Sequence, residues 1–150
     1  MSEPQSYLDV SESGAVALLQ RNLDGPVAML NLLNLREVAD YSAHPHLDPG
    51  HPVSGRAAYE AYIAHTLPYL ERSGGHLAFL GEGGAWLIGP QGEGWDLAML
   101  VVQDSTDAFM AFAGDEDYLA GIGHREAAVV DSRILPLNPL ATPAGGPART

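Results

Sequence analysis

The chain has no cysteine and no lysine. Without cysteine there are no disulfides, no thiolate nucleophile and no cysteine-held metal. Without lysine there is no Schiff-base amine and no phosphate-loop lysine, so the glycine cluster Gly81–Gly84, which no helix signal follows, is not read as a phosphate cradle. Positive charge is scarce: 7 arginines face 19 acidic residues, a net charge of -12. Nucleic acid and anionic membranes would repel such a chain. No apolar run approaches the ~18–20 residues of a membrane span, and Met1–Ser6 is polar with no basic stretch. A cytoplasmic protein is expected. Its 150 residues, 46% hydrophobic, suit one domain with a true core.

Periodicity and punctuation divide the chain. Residues 136–150 carry four prolines and no apolar period, and are expected to be a disordered tail after a single domain over 1–135. Val16, Leu19 and Leu23 stand at helical spacing within a helix over 11–22, with Ser11 or Ser13 as its cap. Val27–Leu35 is a nearly continuous apolar run, which predicts a strand buried on both faces. A long connection rich in His, Pro and Gly follows. The clearest helix spans 54–72, where Tyr59, Tyr62, Ile63, Thr66, Leu67 and Leu70 form one stripe, and Gly74-Gly75 ends it. Two strand pieces, 76–80 and 85–89, flank the glycine cluster, and a further buried strand is expected at 95–103. Ser105 caps a helix to Phe112, a short helical segment covers 115–122, and a last strand runs over 127–135.

The order is β-α-β-β-α-β with an extra N-terminal helix, the α+β arrangement called ferredoxin-like. Two helices on one side of a single sheet leave its other side bare. In the first strand Met29 and Leu33 point one way while Leu30 and Leu32 point the other, so the bare side is apolar. A second copy is the simplest cover, which predicts an isologous homodimer.

GPVAMLNLL (Gly25–Leu33), SGRAAYEAY (Ser54–Tyr62) with the Gly-Gly after its helix, IGPQGEGWD (Ile88–Asp96) and GHREAAVVDSR (Gly123–Arg133) resemble, in this order, segments of the family catalogued as domain of unknown function 1330. The resemblance covers roughly residues 12–135. It implies a dimeric α/β barrel, in a superfamily that includes cofactor-independent monooxygenases, haem proteins and muconolactone isomerase-like enzymes. By that analogy the chemistry would be proton abstraction from, or cofactor-free oxygenation of, an enolisable substrate. The family itself has no agreed activity, and fold alone does not assign one.

Several residues can carry chemistry. Asn31 stands among apolar neighbours, where its amide either hydrogen-bonds a substrate carbonyl or enolate oxygen or ties elements together. Tyr62 and Tyr59 lie on the helix stripe, as ligand-orienting phenols or as core. His124 is the candidate base, and Arg125 the candidate anchor for an anionic group, unless ion pairs consume them. Arg133 has Asp131 beside it as a neutralising partner, and His65 lies at a helix edge. Trp86 and Trp95 wall a flat pocket or plug a seam. The expected pocket lies between sheet and helices, lined by Asn31, Tyr62, Trp86 and His124. His44, His46 and His51, with Asp48, form the most metal-like cluster, but Pro45, Pro49 and Pro52 make it an irregular loop and no metal or other cofactor is assigned. The alternative to an enzyme is a non-catalytic module that binds a small apolar acid.

Overall fold

Each of the three longer helices starts where a serine supplies an acceptor. A computed structural model of the chain describes residues 6–141. In it Ser11 caps α1 (Glu12–Gln20), Ser54 caps α2 (Gly55–Arg72) and Ser105 caps α3 (Thr106–Ala113), each hydroxyl accepting from a first-turn N–H. Gly74, at φ +91, ends α2 in the left-handed conformation that glycine adopts without a Cβ clash, and Gly75 N–H then closes on Leu70 O.

Four strands follow the apolar runs: β1 (Val27–Leu35), β2 (His76–Glu82), β3 (Leu97–Gln103) and β4 (Val129–Leu137). They form one antiparallel sheet in the order β2-β3-β1-β4. β1 is central, with Leu33 facing Leu97 on one neighbour and Ser132 on the other. Between β3 and β4 run α3, α4 (Glu116–Leu119) and α5 (Ile122–Ala128). A short 3-10 turn at Pro45–Leu47 interrupts the connection before α2. No helix of the described residues is long and apolar enough to cross a membrane.

The sheet's two faces differ. On one, Met29, Asn31, Leu33, Leu97 and Met99 are buried beneath the helices. The core there falls into two clusters. One gathers Leu33, Tyr59, Leu70, Met99 and Phe112 with α2 and α5, and the other gathers Leu18 of α1 with Val27 and Met29. The opposite face carries Leu30, Leu32, Ala98, Leu100 and Val102, all half-buried except for exposed Phe79 and Leu135 beside them.

Three expectations are corrected. Residues 85–89 make no strand: beyond Glu82 the chain forms a long hairpin excursion whose arms are joined by the isolated bridge Ala85–Gly94 and by the Gly83 N–H to Asp96 O and Trp95 N–H to Gly84 O bonds. Gly83, Gly84, Gly89, Gly92 and Gly94 offer little side-chain surface to hold a ladder. Residues 122–128, expected as the end of one helix and the start of a strand, are α5. β4 extends through Pro136 and Leu137, two residues into the expected tail; the rest of that tail from 142 onward lies outside the described residues.

Candidate functional site

Between the two core clusters lies a cavity of about 660 Å³, with lining residues from both. Its sheet side is Met29, Asn31, Met99 and Gln103, and α2 contributes Tyr62, Thr66 and Leu70. Phe112, Tyr118 and Arg125 come from the segment that returns to β4, and Leu18 with residues 7–11 closes the remaining side. Most of this lining is apolar, so each polar group on it counts.

Arg125 is the group that α5 delivers. It is 9% exposed. Its guanidinium donates to Leu8 O at 2.7 Å and to Ser132 Oγ at 3.1 Å, and no carboxylate pairs with it among the described residues. The same contacts fix the strap of residues 7–11. Tyr7 O accepts from Ser132 N–H at 2.9 Å and from Ser132 Oγ–H at 2.6 Å, while Tyr7 N–H donates to Asp131 Oδ1 at 2.9 Å. The strap thus covers the edge strand β4, which would otherwise offer unpaired backbone groups.

Two phenols stand near. The Tyr62 and Tyr118 hydroxyls are 2.7 Å apart. Burial, reinforced by the neighbouring Tyr62, pushes the Tyr118 phenol far up, and the opposing influence of Arg125 does not overcome it. Tyr118 is therefore a neutral hydrogen-bonding group at ordinary pH. Asn31 Nδ2 donates to Met29 O at 3.0 Å, which orients the amide on the same face as the cavity.

Of the residues singled out from the sequence, the cavity brings together Asn31, Tyr62 and Arg125, with Arg133 also on its lining. It excludes Tyr59, Trp86 and His124 from its lining. Tyr59 is 1% exposed, packed in the core with its hydroxyl on Met99 Sδ at 3.8 Å. Trp86 belongs to the hairpin excursion, where its indole N–H donates to Glu93 at 3.1 Å and its ring sits over Gly89. Trp95, by contrast, is buried under the Arg133 guanidinium, which pairs with Asp131 at 2.7 Å.

The displacement of His124 has a simple cause. Successive residues of a helix point about 100° apart, so α5 cannot bury Arg125 in the cavity and aim His124 there too. His124 Nδ1 instead meets Tyr41 Oη at 2.7 Å. Around this pair, His44 bonds to Glu126 and stands in edge contact with His46, and His65 Nε2 donates to Asp117 O and Tyr118 O at the end of α4. His51 and Asp48 lie beside Tyr41 in a separate shallow cleft. Among the described residues no three His, Asp or Glu side chains are placed to hold a metal ion.

Tyr118, Thr66, Gln103 and Ser132 also line the cavity and were not singled out as site residues. Thr66 was visible on the α2 stripe. Gln103 closes the apolar run of β3 as any strand end does, and Tyr118 and Ser132 each stand beside an acidic residue, so none of the three carries a signal of its own.

Burial, together with the charges of His65 and His46, holds His124 below its ordinary value of 6.5. The folded chain then binds this proton less readily than the unfolded chain. Stability carried by neutral His124 is complete above about pH 6.5 and is lost as pH falls through the depressed folded value. The melting temperature of the wild type should fall on acidification below that point, and His124→Phe should flatten this limb. Superimposable acid limbs, followed by calorimetry, would contradict a neutral Tyr41–His124 pair.

No protein-family model and no curated protein matches the chain. Solved structures do. The methylated RPA0582 protein matches at 36% identity and a TM-score of 0.78, covering 92% of this chain and 97% of that one. A second structure, of RPA0582 from Rhodopseudomonas palustris and described as a protein of unknown function, matches at 35% identity and 0.76, covering 91% and 98%. More distant neighbours are ferredoxin-like. A dimeric ferredoxin-like protein of unknown function from Thermobifida fusca shares 17% identity at a TM-score of 0.44, covering 76% and 91%. A putative antibiotic biosynthesis monooxygenase from Caulobacter crescentus shares 13% at 0.49, covering 81% and 98%. With more than a third of its residues identical across nearly the whole of both chains, this protein belongs to the family of Rhodopseudomonas palustris RPA0582.

Proposed function

We propose that the protein is a homodimeric α/β-barrel protein of the kind that the resemblance to domain of unknown function 1330 implies, and that its cavity binds a small apolar molecule carrying one acidic group. The observation that carries this reading is Arg125: a permanent cation in a mostly apolar cavity, with no carboxylate partner among the described residues. A buried charge is costly unless paired, and a ligand carboxylate or acidic enol would pair it. The remaining lining is mostly apolar and suits a hydrocarbon body; of the two other arginines on it, both exposed, Arg133 is paired with Asp131 and Arg21 donates to Pro136 O, so Arg125 is the buried cation left for a single acidic group.

Binding is favoured over turnover by the chemistry of the lining. A general base poised near neutral pH must reach the reacting carbon. No histidine or glutamate lines the cavity, its one carboxylate, Asp9, stands on the exposed strap, and His124 lies outside it. A monooxygenase-like or isomerase-like activity would have to act through Asn31 and the Tyr62–Tyr118 pair, as hydrogen-bond donors to a substrate already acidic enough to ionise.

Decanoate should bind the full chain in calorimetry and raise its melting temperature, since a ligand that prefers the native state must do so. Decanol, which has the same body and no charge, should bind more weakly. Arg125→Met should lower the melting temperature, because the Leu8 carbonyl loses its donor, and below that temperature should lose the acid's advantage, a drop of about ten- to a hundredfold, equivalent to the ~1.5–3 kcal/mol of charged hydrogen bonds. Equal binding of acid and alcohol by the wild type would exclude Arg125 as the anchor.

The second copy is proposed to cover the face of Leu30, Leu32, Leu100 and Val102. The hairpin tip supports the same partner, with Leu87 99% and Ile88 91% exposed, more apolar surface than an isolated chain ordinarily presents to water. Light scattering at micromolar concentration should give twice the chain mass, and Leu100→Asp should give the single-chain mass with the fold retained. A monomeric wild type would contradict the dimer.

A further inference from the structure

The cavity holds a second set of polar atoms, away from Arg125. Thr66 Oγ1 and Gln103 Nε2 are buried, and among the described residues neither has a hydrogen-bond partner. Thr66 is 8% exposed and Gln103 1%. Both line the same cavity as Arg125. Buried side-chain polar atoms nearly always have partners, so two orphans among the lining residues of one cavity, Thr66 from α2 and Gln103 from β3, call for a cause.

Their placement gives the direction. On α2, Tyr62, Thr66 and Leu70 follow one another at a four-residue spacing, so each lies about 6 Å further along the helix on nearly the same face. Tyr62 marks the Arg125 end, because its hydroxyl meets Tyr118, on which the Arg125 charge acts. Leu70 marks the other end: a Cβ on Gly75 would lie 2.6 Å from Leu70 Cδ1 and 2.8 Å from Gln103 Oε1, so these two side chains are neighbours. The polar groups therefore succeed one another along the cavity, first cation and phenols, then Thr66, then Gln103. Ser73 Oγ–H donates to Leu70 O at 2.6 Å and its oxygen lies 3.4 Å from Gln103 Oε1, while Gln103 Nε2 has no partner among the described residues.

Resting on the acid-binding reading, we infer that the ligand is bipolar: an elongated hydrocarbon acid with a hydroxyl or carbonyl oxygen near the end remote from its carboxylate. The carboxylate meets Arg125. The distal oxygen accepts from Gln103 Nε2 and hydrogen-bonds the Thr66 hydroxyl. The hydrocarbon between them lies against Met99, Leu70 and Phe112, which line the cavity. A site that hydrogen-bonds a ligand oxygen discriminates strongly against the analogue that lacks it, because the site's own polar atoms are then left unpaired.

The test compares decanoate with ω-hydroxydecanoate by titration calorimetry on the full chain. The wild type should bind the hydroxy acid about tenfold or more tightly than decanoate, the equivalent of one or two buried hydrogen bonds. Thr66→Val and Gln103→Met should each erode that preference, lowering the affinity for the hydroxy acid more than that for decanoate. Without ligand, both variants should melt at or above the wild-type temperature, because each removes a polar atom that has no protein partner. Equal wild-type affinity for the two acids overturns the inference and leaves the acid cavity standing. A preference that survives both substitutions also overturns it, by moving the hydroxyl elsewhere. Failure of either acid to bind overturns this inference together with the reading beneath it.

Discussion

A guanidinium kept out of water without an opposing charge is the constraint around which this molecule is arranged. Arg125 can be buried because two neutral acceptors hold it, the Leu8 carbonyl and the Ser132 hydroxyl. Each of these is itself fixed by the strap of residues 7–11 along β4. The cation, the edge strand and the closing wall of the cavity thus form one hydrogen-bonded unit. Neutral acceptors satisfy the donors without cancelling the charge, so the field of the guanidinium remains available inside the cavity.

α5 makes this possible, and it does so through glycine. A Cβ at Gly121 would lie 2.1 Å from His65 Cδ2, and one at Gly123 would lie 2.6 Å from His44 Cγ. The two histidine rings pack directly on backbone, and α5 sits close enough to α2 for Ala127 and Ala128 to be fully buried. The same helix sorts its own side chains. Arg125 turns inward, whereas His124 and Glu126 turn toward Tyr41 and His44. One face of a two-turn helix supplies the cavity's charge, and the other supplies a polar cluster on a different side of the fold.

Strands and capped helices were legible because their signals are local. Val27–Leu35 matches β1 to the residue, and Ser11, Ser54 and Ser105 announce their helices. α5 was not legible, because Gly121 and Gly123 read as helix breakers until the rings that need their missing side chains are known. The helix also separates His124 from Arg125: adjacent helical residues point about 100° apart, and His124 stands on Tyr41 outside the cavity. Asn31 and Tyr62 stand out in the sequence as polar groups in an apolar pattern, and both line the cavity. The position of Trp86 away from the cavity was not legible, because its partners, Glu93 and Gly89, lie in a glycine-rich excursion without period. Gln103 and Tyr118 gave no warning, since their position on the cavity depends on how α1 and the α3–α5 segment leave a gap between two core clusters. The family relationship to RPA0582 covers nearly the whole chain and brings no activity with it, so the chemistry has to come from the residues on the cavity wall.

The most direct measurement is a crystal structure of the full chain grown with decanoate. The account predicts an acid lying within the cavity between α2 and the sheet, its carboxylate within hydrogen-bond distance of the Arg125 guanidinium. An acid bound elsewhere, or a carboxylate turned away from Arg125 toward solvent, would contradict it.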